Sequence, residues 1–458
     1  MGGAPHPPDT ASGAVSNAGP TGRSRSARFR PVRHQSSQRY REAAAPILDG
    51  RGIVRSRWFN SGIQMRERFG WAVLSILALA GGAAPAVGAE EWPRTTPDSV
   101  GLDSTVLDAL DADFRNGVVP LVDSVLVLRC GALAFERHYA HDYATIYAKP
   151  AREIGPLNPY LTGPYNYFDT SWHPYWHGGT AHTMQSITKS VTSATIGAAI
   201  LHGDFKAPLD TPVLRWFDPA RVKHVDARKR AMTLRHLLTM TSGLDWNEDL
   251  PYADPKNAAA VMEATRDWVE FVVDRPMAYA PGTHFAYSSG VSELLAHIFR
   301  KETGQDLEDY ARTHLFEPLS IHDYHWKRSP LGEVDSEGGL FLTDYALARI
   351  GELYRQHGVW HGVRLIGEDW VLDSVKPRSD PGDGFRYGYQ WWLAPYANGS
   401  RFAWAGFGFG GQYVFVMPED GVVAVTTAWN ILDPKYYDRI ILEKLRPAVK
   451  PFTCPVDN

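Results

Sequence analysis

The stretch that decides the fold is Thr183-Met184-Gln185-Ser186-Ile187-Thr188-Lys189-Ser190-Val191-Thr192, which continues into the nearly uncharged run 193–200. Small and apolar residues fill that run, and Gly203 follows it, so the sequence predicts a buried central helix from near Ser186 to Gly203. Ser186 and Lys189 lie three positions apart and therefore share one face of the helix. The unpaired N–H groups and partial positive charge of a helix start could bind an anion beside Ser186.

A serine one helical turn from a lysine is a candidate nucleophile and base. A lysine among apolar neighbours and near a dipole has a depressed pKa, so we expect Lys189 to be uncharged and able to take the proton of Ser186. The alternative is an exposed helix start with a solvated lysine, because Ser-x-x-Lys arises often by chance. The uncharged run that follows favours the first interpretation.

Two glycine-containing segments could complete such a site. In the segment 280–290, a Pro-Gly turn leads to Tyr287, whose phenol could relay protons if a nearby cation lowers its pKa. In the segment 404–412, glycines precede a predicted strand and would let a backbone N–H approach a bound oxyanion. The alternatives are a core aromatic residue after a turn and a β-bulge at a strand entry.

Strand patterns occur at both ends of the chain and helical patterns between them. Residues 125–128 and 132–135 flank a short turn, as do 413–417 and 422–427, and each pair predicts a β-hairpin. Asp103-Ser104 can cap a first helix, and an apolar-periodic last helix follows the second hairpin. We therefore predict an α/β (α+β) fold: one antiparallel sheet flanked by the terminal helices, with a helical region inserted.

The first 89 residues differ from the rest of the chain. Residues 1–64 contain ten Arg, no Lys and three acidic residues without apolar periodicity, and we expect them to be disordered and not translated. Residues 65–89 have a charged start, the ten-residue apolar run 71–80 and small residues at 87–89, the layout of a secretory signal peptide. The alternative is a real extension with an uncleaved anchor. We therefore expect one domain at 90–458, periplasmic or secreted, without a stable membrane anchor.

The composition and net charge of the chain exclude some classes of function. Of 458 residues, 44% are hydrophobic and 21% charged, as in a globular protein. Residues 1–89 hold 12 Arg and 4 acidic residues, so residues 90–458 carry a net charge of −12 and are poor candidates for binding nucleic acid. The sequence leaves open whether Cys130 and Cys454 form a disulfide, because nothing in it places the two residues together. We expect no metal at His173, His177 and His182, because no acid or Cys shares helical spacing with all three.

Five motifs together resemble the serine β-lactamase-related family. They come in the family's order: Ser186-x-x-Lys189, the segment 233–244, Pro281-Gly282-Thr283-x-Phe285-x-Tyr287, the segment 338–343, and Gly410-Gly411-Gln412. The family includes class C β-lactamases, D-alanyl carboxypeptidases, esterases of β-lactamase fold and 6-aminohexanoate-dimer hydrolase, and the segment 243–249 is most similar to the last. The resemblance covers residues 95–447.

The resemblance implies roles for particular residues. Ser186 would be the acylated nucleophile, Lys189 its general-base partner and Tyr287 the proton relay. The backbone N–H groups of Ser186 and Phe409 would form the oxyanion hole, with Gly410 as the other candidate for the second donor. Ser289, Gly408 and Gly410 would contact substrate, and the resemblance implies neither metal nor cofactor.

Two departures from the family pattern bear on the substrate. The family's Tyr-x-Asn motif is Tyr287-Ser288-Ser289 here, and its Lys-Thr-Gly strand is Gly406-Phe407-Gly408. The second change removes the cation that would pair with a β-lactam carboxylate. The sequence therefore predicts an exported serine hydrolase that acts on a small-molecule ester or linear amide. The alternatives are a penicillin-recognising D-alanyl peptidase or β-lactamase, and a non-catalytic penicillin-binding-like module.

Overall fold

The computed structural model describes residues 92–153, 179–251, 254–396, 399–430 and 437–455. The predictions for residues 1–64 and 65–89, and those for His173 and His177, lie outside these ranges. Among the described residues, no helix combines the length and the apolar character needed to cross a bilayer.

Twelve α-helices are assigned in the described parts of the chain. They are α1 (Ser104–Arg115), α2 (Tyr143–Ile146), α3 (Ile187–His202), α4 (Ala227–Ala231), α5 (Leu234–Leu238), α6 (Ala258–Glu263), α7 (Trp268–Val273), α8 (Ser289–Thr303), α9 (Leu307–Ala311), α10 (Asp344–Arg355), α11 (Glu368–Ser374) and α12 (Asp438–Leu445).

Thirteen strands accompany the helices in the same ranges. They are β1 (Val122–Arg129), β2 (Ala132–His138), β3 (His182–Thr183), β4 (Tyr324–Trp326), β5 (Leu340–Leu342), β6 (Val359–Trp360), β7 (Val363–Arg364), β8 (Ser379–Gly382), β9 (Phe385–Tyr387), β10 (Trp392–Tyr396), β11 (Arg401–Gly408), β12 (Gln412–Met417) and β13 (Val422–Ala428).

One large antiparallel sheet joins the two ends of the chain. Its strand order is β2-β1-β13-β12-β11-β10-β9-β8, so both predicted hairpins belong to it. Strand β1 pairs with β13 over its whole length, with Leu126 opposite Val425. This arrangement confirms the predicted antiparallel sheet with an inserted helical region.

Helices cover both faces of the large sheet. On one face, α1 contacts α12, and the buried side chains of Leu107, Leu110 and Phe114 join a core with residues of β1, β12 and β13. On the other face, α10 packs closely on β12 and β13, since a Cβ at Gly351 would lie 2.7 Å from Val423. The inserted helices around α3 and α8 share the core on that second face. The terminal helices therefore flank the sheet as predicted.

The central helix α3 begins directly after the small strand β3. Helix α3 is buried from Ile187 to Ala199 and ends at Gly203, which has a left-handed φ of 73°. Helix α8 begins at Ser289, because the Ser288 side chain caps it by accepting from the N–H of Val291 at 3.3 Å. This start puts Ser289 in the first turn of α8.

Strand β11 runs beside the segment that leads into α3. A Cβ at Gly408 would lie 2.3 Å from the carbonyl oxygen of Met184, and one at Gly406 would lie 3.3 Å from Ile187. Only glycine permits so close an approach of two backbones. Gly406 and Gly408 therefore let β11 lie against the segment that carries Ser186. Their approach to a bound oxyanion stays a prediction.

The two cysteines form a disulfide. Cys130, in the turn between β1 and β2, is bonded to Cys454, which follows α12, with a sequence separation of 324 residues. The sequence left this pairing open, and the structure decides it because β1 and the C-terminal segment pack side by side.

We expect loss of the disulfide to lower the free energy of unfolding by about 2–4 kcal/mol, because the cross-link closes a very long loop of the unfolded chain. The measurement is urea denaturation of Cys130→Ser, Cys454→Ser and the double variant. All three should show the same loss, and reduction of the wild-type protein should reproduce it. Equal stability of the oxidised and reduced proteins would contradict the expectation.

We expect Gly408→Ala to destabilise the protein by about 1–3 kcal/mol, because the added methyl group overlaps the Met184 carbonyl and cannot be accommodated without moving β11. Thermal and urea unfolding measure the change. Gly367→Ala is the matched control, since a Cβ at Gly367 meets no atom within 4 Å and its φ is not left-handed. Similar losses in the two variants would show that the close approach is not what matters.

Candidate active site

Ser186 occupies the position immediately before α3, where the chain turns from β3 into the helix. The turn forces Gln185 into the left-handed region, with a φ of 46° that is costly for a residue with a Cβ. The side chain of Ser186 is partly exposed, and its backbone N–H donates no hydrogen bond to any residue that the structure describes. The serine predicted as nucleophile is therefore accessible at a strained helix start.

Lys189 lies beneath Ser186 and is only 1% exposed. Its Nζ donates to Ser186 Oγ at 3.0 Å and to Ser289 Oγ at 3.2 Å. It also donates to the backbone oxygen of Glu337 at 2.8 Å and to Glu337 Oε2 at 3.3 Å. The three protons of an ammonium group thus have four acceptors around them, and the predicted pairing of Ser186 with Lys189 is present.

The charge state of Lys189 differs from the expectation. Burial disfavours the ammonium form, but the negative charges of Glu337 and Glu248 favour it, and the pKa of Lys189 is raised above its ordinary value. The uncharged amine predicted from the sequence is therefore wrong for the resting protein. The physical reason is that acidic residues from distant parts of the chain, and not another cation, surround the amine.

Tyr287 stands on the other side of the same two residues. Its ring centroid lies 5.1 Å from Lys189 Nζ, and its hydroxyl is in hydrogen-bonding reach of Ser186. Burial raises the pKa of Tyr287, and the opposing effects of Lys189 and Ser186 do not cancel that increase. The structure therefore brings Tyr287 to Ser186 and Lys189, with its phenol protonated at rest.

Ser289 connects Lys189 to a carboxylate that the sequence analysis missed. Ser289 is fully buried, and its hydroxyl donates to Glu248 Oε1 at 2.7 Å. Glu248 Oε2 accepts from the Ser289 backbone N–H at 2.7 Å and from Trp246 Nε1 at 2.8 Å. Burial raises the pKa of Glu248, an effect that Lys189 opposes. The Ser289 hydroxyl already forms hydrogen bonds with Lys189 and Glu248. Its predicted contact with a substrate stays a prediction.

More acidic groups lie behind Lys189 than cations to pair with them. Lys189 and a hydrogen bond from Glu263 lower the pKa of Glu337 despite its burial, while burial raises that of Glu263 well above its ordinary value. Lys327 and Asp335 form a second buried ion pair at 3.3 Å. Glu337 directly precedes the motif at 338–343, but nothing in its local sequence indicates that it is buried.

The candidate oxyanion donors lie at the end of β11. Gly408 is the last residue of the strand, and its carbonyl oxygen accepts from the N–H of Gly411 at 3.3 Å across the turn into β12. The Gly410 carbonyl oxygen accepts from the N–H of Asn430 at 3.0 Å. Phe409 sits between them, and its partly buried ring packs against a small aromatic core around Phe341. The assignment of Phe409 or Gly410 as second donor stays a prediction, as do the substrate contacts of Gly408 and Gly410.

Aromatic side chains pack beside Tyr287. The ring of Trp392 stacks on Tyr287 with centroids 5.5 Å apart, and Phe407 lies 5.7 Å from Trp392. Phe285 and Tyr387 also contact Trp392. Phe407 thus fills the middle position of Gly406-Phe407-Gly408 with an apolar ring, where the family pattern has polar residues.

No group of three or more His, Cys, Asp or Glu within the described ranges is arranged to hold a metal ion. Of the histidines considered in the sequence, His182 lies in β3, with Nδ1 3.7 Å from Asp123 Oδ2. Burial lowers the pKa of His182 to about 3, so its imidazole is neutral near pH 7.

Comparisons with known proteins agree with this geometry. The chain is 24% identical over 290 residues to 6-aminohexanoate-dimer hydrolase of Paenarthrobacter ureafaciens. This alignment covers 57% of this chain and 71% of that protein. The chain is 27% identical over 179 residues to Esterase EstB of Burkholderia gladioli, covering 36% of this chain and 42% of that protein. Among solved structures, EstCE1, described as a hydrolase with promiscuous acyltransferase activity, superposes with a TM-score of 0.55. That match is 16% identical and covers 76% of this chain and 99% of the other.

The family assignment rests on a match that extends over most of the described fold. The family model described as Beta-lactamase matches residues 123–435, from β1 to beyond β13, and this range contains Ser186, Lys189 and Tyr287. With the antiparallel sheet and the Ser186–Lys189 pair in place, the chain belongs to the Beta-lactamase family and is a serine hydrolase of that fold.

Proposed function

We propose that this protein is an exported serine hydrolase that cleaves esters or linear amides through an acyl-enzyme on Ser186. The observation that carries the proposal is the 3.0 Å contact between Lys189 Nζ and Ser186 Oγ at a buried helix start, with the serine itself accessible. A lysine buried beneath an accessible serine places a base beside a nucleophile once its ammonium group has lost a proton, which is the arrangement that acyl transfer requires.

The reaction would proceed in two stages. Once Lys189 has given up the proton that it carries at rest, Ser186 Oγ attacks the substrate carbonyl, its proton passes to the Lys189 amine, and a bond forms between Oγ and the carbonyl carbon. Tyr287, which lies close to both residues, supplies the proton that the departing alcohol or amine needs. Water then attacks the ester on Ser186 and gives a proton to Tyr287, which had lost its own to the leaving group. The bond between Ser186 Oγ and the acyl carbon breaks, Lys189 returns its proton to Oγ, and the acid is released. The N–H of Ser186, which donates to no residue in the described ranges, would stabilise the oxyanion in both stages.

The choice of ester or linear amide over β-lactam rests on β11. The segment Gly406-Phe407-Gly408 offers no cation, and the ring of Phe407 packs on Trp392. A β-lactam carboxylate would therefore meet apolar rings in place of a charged partner, at a cost in binding. An uncharged acyl group suits the same surface. Relatives described as an esterase and as a 6-aminohexanoate-dimer hydrolase support both substrate classes.

We expect Ser186→Ala to abolish hydrolysis of short-chain p-nitrophenyl esters, with a loss of at least about 1000-fold in kcat, because the nucleophile is gone. Mass spectrometry of the quenched wild-type protein should detect an acyl group on the peptide containing Ser186, and none in the variant. Ser190→Ala is the matched control, since Ser190 lies on the same helix and its hydroxyl donates to the Gln390 carbonyl oxygen. Equal turnover by wild type and Ser186→Ala would end the serine mechanism.

A substrate panel separates the alternative functions. Esters and linear amides should be hydrolysed at least tenfold more efficiently than a β-lactam of similar size. A durable acyl-enzyme with labelled penicillin on Ser186 would instead favour the cell-wall peptidase. Absence of any acyl-enzyme with all three classes would favour a binding module.

Export is the second part of the proposal. The apolar run 71–80 and the small residues 87–89 resemble a cleaved signal, and the Cys130–Cys454 disulfide suits an oxidising compartment. We expect the protein recovered from the periplasm or medium to begin near residue 90 by N-terminal sequencing. A recovered chain that begins before Met65 would contradict both the signal and the predicted start.

A further inference from the structure

We propose that Glu248 is the group that accepts a proton from Lys189 through the hydroxyl of Ser289, so that the lysine becomes a neutral base when Ser186 reacts. This inference rests on the proposed acyl-enzyme function. It assigns a role to Glu248, which acts through Ser289 and does not touch the substrate.

The direction of the hydrogen bonds defines the path. An ammonium group can only donate and a carboxylate can only accept. Ser289 Oγ receives a proton from Lys189 Nζ at 3.2 Å and donates its own to Glu248 Oε1 at 2.7 Å. The hydroxyl is therefore oriented from the lysine toward the glutamate. Its complete burial excludes solvent as a competing partner.

The surroundings hold the Glu248 carboxylate ready to receive the proton. The Ser289 N–H and Trp246 Nε1 both donate to Oε2, so Oε1 is left facing the Ser289 hydroxyl. The N–H of Ser289 belongs to the first turn of α8 and has no partner within that helix. Glu248 satisfies this donor and thereby fixes its own orientation.

Glu337 is the competing acceptor, because its Oε2 lies 3.3 Å from Lys189 Nζ. It is the weaker candidate because the charge of Lys189 and hydrogen bonds from Glu263 and Ser289 all lower its pKa. Burial raises the pKa of Glu248 instead. The proton therefore moves more easily to Glu248 than to Glu337.

The step conserves atoms and charge. One Nζ–H bond of Lys189 breaks as a proton joins Ser289 Oγ, and the original hydroxyl proton of Ser289 moves to Glu248 Oε1. The ammonium–carboxylate pair becomes an amine and a carboxylic acid, with no net charge moved out of the site. The amine then takes the proton of Ser186 as its Oγ attacks the carbonyl.

The titrating groups that face this path are Lys189, Tyr287, Glu337, Glu248 and Tyr387. In the wild type, the path needs an ionised Glu248, so activity is lost as the pH falls through the raised pKa of Glu248. Without Glu248, Lys189 must lose its proton to solvent, and activity then appears only as the pH approaches the higher pKa of Lys189.

The test is the pH profile of the acylation rate of Glu248→Gln with a p-nitrophenyl ester, measured in the pre-steady state. We expect acylation to be about 100-fold slower than in the wild type at pH 7. We also expect the acidic limb of the pH–rate profile to lie at higher pH than in the wild type. If Glu248 only keeps Lys189 charged, its removal would lower the pKa of Lys189, acylation would be faster, and the limb would move to lower pH. That result, or an unchanged profile, would overturn the proposal.

A double-mutant cycle with Ser289→Ala tests the path itself. Because both groups act in one path, each single variant and the double variant should show the same loss, whereas independent roles would give losses that multiply. Asp245→Asn is the matched control, since Asp245 lies in the same loop but is exposed and paired with Arg275. It should acylate at the wild-type rate.

Two measurements distinguish failure of the role proposed for Glu248 from failure of the proposed hydrolase function. Glu248→Gln should still form the acyl-enzyme on Ser186 by mass spectrometry, only more slowly, whereas activity in Ser186→Ala would refute the function itself. Thermal unfolding identifies any variant that does not fold. If Glu248→Gln fails to fold, Ser289→Ala carries the test, and wild-type acylation by folded Ser289→Ala overturns the proposal.

Discussion

The ammonium group of Lys189, buried among acceptors, is the interaction around which the site is organised. Taking a charge out of water costs several kcal/mol unless partners replace the lost solvation. Here the partners come from Ser186, directly before α3, from α8, which starts 100 residues after Lys189, and from Glu337, 148 residues after Lys189. The three segments must therefore pack in one arrangement to satisfy one cation. The fold is specified at the site by this requirement as much as by its apolar core.

The same requirement explains the excess of carboxyl groups behind the lysine. A single carboxylate would neutralise Lys189, but Glu337, Glu263 and Glu248 all have shifted pKa values. Like charges at close range cannot all ionise in a buried site, so the group keeps some of its protons. Glu263 holds its proton and donates to Glu337, which stays ionised.

Local patterns predicted most of the fold and part of the site. The hairpins, the cap at Asp103 and the helix α3 depend on neighbouring residues, so turns, caps and periodicity identify them. The motif order likewise brought Ser186, Lys189 and Tyr287 together. The disulfide, the burial of Glu337 and the partnership of Glu248 depend on segments far apart in the chain. Asn247-Glu248-Asp249 has the polar composition of an exposed turn, and nothing local signals that Ser289 will lie against it.

The expectation of an uncharged lysine was wrong for the same reason. Helix-start dipoles and apolar neighbours are visible in the sequence, and both disfavour an ammonium group. The carboxylates that reverse the effect arrive only through tertiary packing. A charged resting state stabilises the folded site but leaves the base occupied by a proton. The proposed path through the hydroxyl of Ser289 to Glu248 would take that proton over two hydrogen bonds without exposing the site to water.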